Sequence, residues 1–442
     1  MPAGKILYRS LYWKSLQFMA SFFLNIVIAR TFRSAITAEF YYLVYLLSGC
    51  ISLFTMGLDI SISYFLPRSA ISPATAGRLI LSATVLALLV CLPLLALWVH
   101  PSQFPDLDRP RILIFAALQI AGGLLTTLSG TLFTAFGRND LPAKLAFILN
   151  TTLVIGCLSG SRIFTNPGIV HWLFAAWFGF SFLQGIVLFL LADHRYGIFR
   201  ARTQAASPAP IHLRDILRFS FAAFIINFIF FLGSRLTLYL MPYRIGPAAQ
   251  GNYIQAYKLV EYMGLLMSFL YYPVIVLVAG TAMEKMQQTI LLLVRLSNTV
   301  VLLFSIAVLA LGWWVFPLIF GPSFGNVYRI FTGFIPGLFA VCSSGFFTAW
   351  YFGSGHIKFN GFSAGIQLVA MLAGFFIFPA PFGTALAFSL ASLLSLGYDL
   401  VVFRKFCQWS VRDVLFIRSS DWETIRSILK KLPGVSFLFQ RQ

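Results

Sequence analysis

Five ionisable side chains stand inside long apolar segments, where a charge is costly. An ionisable group at bilayer depth costs about 2.5–3.5 kcal/mol on insertion scales, so such groups usually face a bundle interior or a water-filled cavity. A guanidinium binds two phosphate oxygens through its planar fork, and an ammonium binds phosphate as a point charge. The basic members of the set are therefore candidate ligands for a phosphate group. The five residues are Arg30, Asp59, Arg235, Lys258 and Glu261.

The acids of this set allow two interpretations. Lys258 and Glu261 are spaced i,i+3, so they share one face of a helix and can form an ion pair with a purely structural role. Asp59 and Glu261 are also the acids placed deeply enough to carry a proton, which makes them candidates for ion coupling. Three further charges lie near the ends of apolar segments, and we expect them to snorkel to the membrane surface. They are Lys14, Arg295 and Asp399.

The composition indicates that lipid surrounds most of the chain. Of the 442 residues, 59% are hydrophobic and 10% are charged, whereas a soluble domain is about 25% charged. Soluble enzymes, disordered chains and disulfide-rich secreted proteins are thereby excluded. The five cysteines show no CxxC spacing and are interpreted as small buried hydrophobes. The five histidines are dispersed and no Walker A loop is present, so we expect no catalytic residue, metal or cofactor.

Twelve apolar runs are long enough to cross a membrane, because a helix of about 20 residues spans the hydrocarbon core. We therefore predict an all-α polytopic membrane protein with about 12 transmembrane helices. The predicted spans are 11–33, 40–66, 78–99, 112–136, 143–165, 169–192, 215–241, 251–279, 289–318, 328–351, 359–379 and 382–403.

The net charge of +19 sets the orientation of these spans. With the N-terminus inside, 23 of the 32 Lys and Arg residues fall on the inner side and 8 on the outer side, and Lys258 lies within a span. Cytoplasmic loops carry the excess of basic residues, so we expect both termini in the cytoplasm. No nucleic-acid partner is expected, because the basic residues do not cluster on a solvated domain.

The longest inter-span loop divides the spans into two groups of six. We predict an N-terminal six-helix lobe over 1–193, a cytoplasmic linker over 194–214, a C-terminal six-helix lobe over 215–406 and a cytoplasmic tail over 407–442. Within the tail, Ser420–Glu423 fits a capping box that begins a basic amphipathic helix. We expect that helix to lie on the anionic inner leaflet.

The two predicted halves resemble each other in sequence. Ala38–Leu43 opens the second span, and Ala249–Ile254 opens the eighth at an offset of 211 residues. Phe133–Gly137 ends the fourth span, and Phe347–Gly353 ends the tenth at nearly the same offset. Six spans per repeat give both halves the same polarity, so the repeat is parallel about an axis along the membrane normal. Parallel repeats of this kind are typical of transporters with a site between two lobes.

Four segments carry a resemblance to a known family. Phe22–Arg30, Phe40–Tyr42 and Gly57–Leu58 resemble the start of polysaccharide-repeat flippases, and Tyr253–Leu259 resembles the matching element of their second half. These flippases belong to the multidrug/oligosaccharidyl-lipid/polysaccharide (MOP) exporter superfamily, together with MATE drug antiporters and lipid II flippases. The chain departs from the family in the seventh span, where Ser234-Arg235 stands in place of the frequent Asp-Arg. Ion coupling through that acid is therefore not expected here.

The resemblance implies a MATE-like fold of two six-helix lobes and a central cleft lined by spans 1, 2, 7 and 8. In that cleft Arg30, Arg235 and Lys258 would bind the phosphate or pyrophosphate of a lipid-linked saccharide, with Tyr253 and Tyr257 stacking on sugar rings. The function so implied is the flipping or export of a polysaccharide precursor across the cytoplasmic (inner) membrane by alternating access. Membrane lipids and other polysaccharide assembly proteins are the further partners that it implies.

Two other functions remain open at this point. A MATE-like ion-coupled antiporter of drugs or other small molecules would be expected to use acids in its lobes, and only Asp59 and Glu261 lie deep. A membrane polysaccharide polymerase or ligase is less expected, because such enzymes usually place catalytic residues in large outer loops. The longest outer loop here is His100–Pro110.

Overall fold

The structure of the chain is a computed structural model. It describes residues 3–67, 71–98, 104, 107–138, 140–163, 166–199, 213–280, 283–354 and 356–406, together with tail positions 414, 418 and 421. Within these ranges the regular structure is helical, and no β-strand is formed. Long runs of apolar residues account for this, because a helix satisfies all its backbone polar groups internally when lipid cannot do so.

The described part of the first half of the chain forms seven α-helices. They are α1 (Ala3–Thr31), α2 (Ser34–Thr55), α3 (Leu58–Phe65), α4 (Pro73–Trp98), α5 (Arg109–Ala135), α6 (Asp140–Ile163) and α7 (Asn166–Tyr196).

Six α-helices follow in the second half, again within the described residues. They are α8 (Leu213–Leu240), α9 (Pro247–Gly280), α10 (Met283–Phe320), α11 (Val327–Gly353), α12 (Ile357–Ile377) and α13 (Phe382–Phe406). Short 3-10 turns lie between α8 and α9 and between α10 and α11 (Met241–Tyr243 and Pro322–Phe324).

Among the described residues, eleven helices are long and apolar enough to cross a membrane. A further long helix, α9, coincides with the predicted eighth span and carries Lys258 and Glu261 within its 34 residues. The predicted class, an all-α multi-pass membrane protein, is therefore confirmed. The orientation with both termini in the cytoplasm stays a prediction.

The predicted second span, 40–66, is wrong as a single helix. Helix α2 ends at Thr55, Met56 and Gly57 both have positive φ (47° and 66°), and α3 begins at Leu58. Two successive residues in the left-handed region cannot continue a right-handed helix. A Cβ on Gly57 would collide with the backbone carbonyl of Ser220 in α8, so the break also permits close packing. The apolar run continues through the break, and hydropathy therefore gave no sign of it.

The chain divides into two compact units. The N-terminal unit is Arg9–Phe228, and the C-terminal unit is Ile229–Gln442 together with Met1–Tyr8. The division falls within α8, whose first half packs on α3: the hydroxyls of Ser61 and Ser220 lie 2.6 Å apart, and both residues are buried. The predicted lobe and linker boundaries stay predictions, and residues 200–212 of that linker lie outside the described residues.

Each unit has its own packed interior. In the N-terminal unit, α5 packs closely on α7 because Gly122 and Gly185 face each other without side chains. In the C-terminal unit, α11 packs against α9, α10 and α13. Large aromatic residues fill this second interior, including Trp350, Tyr253 and Phe334, none of which is exposed. These packed helices hold the polar side chains described next.

Candidate functional site in the C-terminal unit

Helices α8 and α9 are joined by a short connection, which makes them neighbours. Two tyrosines of α9 tie the helices together. The Tyr257 hydroxyl donates a hydrogen bond of 2.8 Å to the backbone carbonyl of Ser234, and the Tyr253 hydroxyl lies 3.4 Å from that of Thr237. The two contacts lie one helical turn apart, and they hold the facing sides of α8 and α9 together. The charged residues of the site lie beside them.

An ion pair joins the two helices at this point. Nη2 of Arg235 donates a hydrogen bond of 2.9 Å to Oε1 of Glu261. The guanidinium also lies over the ring of Phe231, 5.5 Å from its centroid. The side chains of Arg235 and Glu261 keep 29% and 25% of their exposure, so the pair is only partly shielded. The sequence had suggested Lys258 as the partner of Glu261, and the contact between α8 and α9 was missed.

Lys258 adds a second cation to the same site. It lies one turn before Glu261 on α9, is half-buried, and interacts electrostatically with both Glu261 and Arg235. Two cations therefore share one carboxylate. Such a cluster has an excess of positive charge and hydrogen-bond donors, which is suited to binding an anion.

Tyr253 and Tyr257 lie inside the C-terminal unit. Tyr253 is fully buried and Tyr257 is 4% exposed. Both rings contact Phe334, with centroids 5.4 and 5.9 Å away, and Tyr257 meets Phe388 edge to face. The two tyrosines therefore pack against α8, α11 and α13. Their contact with a sugar ring stays a prediction.

The remaining two predicted site residues belong to the N-terminal unit. Arg30 is exposed in the last turn of α1, and Asp59 is half-buried in the first turn of α3, two residues after the Gly57 break. The structure thus brings together Arg235, Lys258 and Glu261 within one unit. A common cleft that includes Arg30 stays a prediction.

Arg295 does not snorkel to the membrane surface, so that expectation is wrong. It is 8% exposed, and its Nε and Nη2 atoms donate to the two carboxylate oxygens of Asp421 at 2.7 and 2.6 Å. The backbone N–H of Arg418 donates to the same carboxylate at 2.9 Å. Burial opposes the ionisation of Asp421, but the hydrogen bonds and positive charges of Arg295 and Arg418 outweigh it and lower the pKa of its carboxyl.

The tail makes a second contact close to this pair. The amide of Asn298 donates to the backbone carbonyl of Val414 at 2.9 Å and accepts a hydrogen bond from Ser343. Val414 is buried against a cluster of α10 and α11 residues that includes Ile290 and Phe346. At least this part of the tail therefore packs on the C-terminal unit. The predicted amphipathic helix after position 421 lies outside the described residues.

The expectation that Asp399 snorkels to the membrane surface is also wrong, because this residue is 1% exposed. Its carboxylate accepts a hydrogen bond of 3.2 Å from the Tyr351 hydroxyl. Within the described ranges, no group of three or more His, Cys, Asp or Glu residues could hold a metal ion. Among the described residues of the C-terminal unit, the Arg235–Glu261 pair, the Arg295–Asp421 pair and Asp399 are thus three distinct charged sites.

No protein-family model matches the sequence, and no curated protein matches it. Solved structures match it over nearly its whole length. The inward closed conformation of the lipid II flippase MurJ is 13% identical with a TM-score of 0.60, and the match covers 98% of this chain and 97% of that chain. The inward-facing conformation of a multidrug resistance MATE family transporter of the MOP superfamily is 13% identical with a TM-score of 0.62, covering 90% and 98%.

A third solved structure also matches the chain. A MOP superfamily transporter from Pyrococcus furiosus Vc1, in which the reverse polarity of the binding pocket suggests a different function, is 14% identical. Its TM-score is 0.64, and the match covers 91% of this chain and 95% of that chain. At these identities the comparisons show the fold. The chain has the fold of MOP superfamily transporters, as the sequence resemblance implied.

Proposed function

We propose that the protein is a transporter that moves a lipid-linked saccharide bearing a phosphate or pyrophosphate across the cytoplasmic membrane. One observation carries this proposal: Arg235 donates to the carboxylate of Glu261, and Lys258 lies near both groups. The cluster is part-exposed, and its charge and donors suit an anionic group. The fold comparisons support the transporter class.

The physical task explains why a charged site of this kind is needed. A sugar head group cannot cross hydrocarbon unaided, because its hydroxyls would lose their hydrogen bonds. The phosphate that links it to the lipid carries a charge that is still more costly to bury. A transporter supplies a polar route for the head group while the lipid tail stays in the bilayer. Rocking of two similar halves is sufficient for this, and no covalent chemistry is required.

In this proposal Glu261 acts as an internal counter-ion. Without substrate, its carboxylate accepts the hydrogen bond of Arg235 and offsets the charge of Lys258. A phosphate can replace the carboxylate because it offers more charge and more acceptor oxygens to the same donors. When the phosphate leaves, Glu261 pairs with Arg235 again. The cluster therefore avoids an uncompensated charge in both states.

An ion-coupled antiporter of drugs or small molecules is the second candidate, supported by the similarity to the MATE transporter. A cationic drug requires an excess of acid in its site, whereas this cluster has two cations and one acid. The Pyrococcus furiosus relative is described as having a binding pocket of reverse polarity, so this fold accommodates sites of different charge. The polarity of the cluster therefore favours an anionic substrate over a cationic drug.

Reconstitution in liposomes tests the proposal. A labelled lipid-linked oligosaccharide is followed between leaflets, with ion-driven efflux of a cationic dye measured on the same preparation. We expect lipid translocation by the wild type, its loss in Arg235→Ala, and wild-type rates in the matched control Arg218→Ala, an exposed arginine of the same helix. Dye efflux without lipid translocation would establish the antiporter instead.

A further inference from the structure

A second polar cluster lies between α11, α12 and α13, on residues other than those of the Arg235 site. Asp399 of α13 stands at its centre and is 1% exposed. The Tyr351 hydroxyl of α11 donates to its Oδ1 at 3.2 Å, and the Ser363 hydroxyl of α12 also hydrogen-bonds its carboxyl. Ser363 in turn lies 2.7 Å from the hydroxyl of Ser395. One buried acid is thus surrounded by hydroxyl groups from three helices.

No positive charge balances this acid within the described part of the chain. The ion pairs found there leave out Asp399, and the nearest basic residues of α12 and α13 are exposed (Lys358, Arg404 and Lys405). The other titratable groups beside it are the phenols of Tyr351 on α11 and Tyr398 on α13. Hydroxyl groups can donate to a carboxylate, but they do not neutralise its charge.

The electrostatic cost decides which form of the acid is stable there. An ionised carboxylate without a counter-charge is expensive to bury, and such a group neutralises instead. A protonated carboxyl has one O–H donor and retains acceptor capacity, and serine hydroxyls can both donate and accept. The neutral acid therefore satisfies the same cluster at much lower cost. A divalent metal is disfavoured, because the cluster supplies a single carboxylate.

We propose that Asp399 is a proton-binding site that holds α11, α12 and α13 together when it is occupied. Release of the proton places an uncompensated charge among the three helices and favours their separation at this end of the C-terminal unit. The link to transport rests on the proposed function: a pH gradient would then bias the helix rearrangement. Binding of the proton itself is independent of any substrate.

Infrared difference spectroscopy of the full-length protein tests the proton site directly. We expect the carbonyl stretching band of a protonated carboxylic acid at neutral pH, a shift of that band in deuterium oxide, and its loss in Asp399→Asn. Asp421→Asn is the matched control and should leave the band unchanged, since the Asp421 carboxylate is ion-paired. Tyr351→Phe should shift the band to higher frequency, because it removes a hydrogen bond to the carboxyl. A band that is absent, or that persists in Asp399→Asn, overturns the proposal.

Two further results separate the proton site from the proposed function. If sodium but not potassium abolishes the wild-type band, the site binds a metal cation and the proposal is overturned. In liposomes, an imposed pH gradient should change the rate of lipid translocation by the wild type but not by Asp399→Asn, whose side chain is neutral in both states. If the wild type shows the band but translocates no lipid-linked oligosaccharide, the proton site stands and the proposed substrate fails.

Discussion

Two arginine–carboxylate pairs of the C-terminal unit differ in their exposure and in their hydrogen bonding. The pair of Arg235 and Glu261 has one hydrogen bond, keeps a quarter or more of its exposure, and has Lys258 as a neighbour. The pair of Arg295 and Asp421 has two short hydrogen bonds, 10% exposure on each side chain, and a backbone N–H on the carboxylate. Each carboxylate has a second cation nearby, Lys258 for Glu261 and Arg418 for Asp421, so the two pairs differ in exposure and in the number of hydrogen bonds.

A buried charge does not by itself indicate a functional site, because an ion pair within a membrane protein can be purely structural. The Arg295 pair is buried, and its carboxylate accepts hydrogen bonds from two arginine nitrogens and one backbone N–H, which suits a structural contact. At the Arg235 pair, the greater exposure of both side chains and the single direct hydrogen bond leave donors that another anion can reach. A part-exposed pair contributes little to stability, whereas breaking a buried pair by removing one partner costs about 3–5 kcal/mol. Stability and transport measurements should therefore separate the two pairs.

The largest effect is expected from breaking the Arg295–Asp421 pair. Asp421→Ala leaves the guanidinium of Arg295 buried without a counter-charge, so the free energy of unfolding should fall by about 3–5 kcal/mol. Chemical denaturation of the purified protein measures this change. The double variant Arg295→Met/Asp421→Leu should recover most of the loss, because apolar residues can replace a buried pair. If the free energy of unfolding of Asp421→Ala fell by less than about 1 kcal/mol, the pair would not act as a buried, stabilising ion pair.

The same pair predicts a dependence of stability on pH. Hydrogen bonds and charge from Arg295 and Arg418 lower the pKa of Asp421 in the folded state, against the opposing effect of burial. The stabilisation is therefore complete above the unfolded pKa of about 3.9 and is lost as the pH falls through the lower folded value. The difference in melting temperature between the wild type and Asp421→Asn should be constant from pH 7 to about pH 5 and shrink in stronger acid. A difference that grows on acidification would exclude this origin.

At the Arg235 pair, the expected effect is on substrate and not on stability. Arg235→Ala should weaken binding of the lipid-linked saccharide by about tenfold or more, equivalent to about 1.4 kcal/mol. Its unfolding free energy should change by less than that of Asp421→Ala, because Lys258 remains beside Glu261. Binding to the purified protein and chemical denaturation measure the two quantities. If Arg235→Ala destabilises the protein as much as Asp421→Ala and binds normally, the two pairs have the same structural role.

The fold was predictable from the sequence because the length of an apolar run directly reports a membrane-spanning helix. The break at Met56–Gly57 was not, since the run stays apolar through it. The charged candidates of the Arg235 site were found because each lies within a predicted span. Their pairing depends on the packing of α8 against α9, which composition does not encode.

The environments of Arg295 and Asp399 were mispredicted for a related reason. A charge near the end of a span can face the head groups or the neighbouring helices, and its position along the chain is the same in both cases. Arg295 meets Asp421 across 126 residues of sequence, a contact that only the tertiary structure produces. The sequence therefore could not predict that Arg295 and Asp399 are buried.

The smallest effect tests the role of Glu261 as an internal counter-ion. Glu261→Gln keeps the size of the side chain but removes its charge, so a bound phosphate no longer competes with a carboxylate for Arg235 and Lys258. Binding of the lipid-linked saccharide should tighten by about two- to threefold, less than 1 kcal/mol, and its release should slow. The direction is opposite to that of Arg235→Ala, whereas Asp421→Asn should leave the affinity unchanged. Weaker binding by Glu261→Gln would mean that the carboxylate positions Arg235 for the substrate instead of competing with it. The cluster would then resemble the Arg295–Asp421 pair in needing its acid to hold the arginine in place.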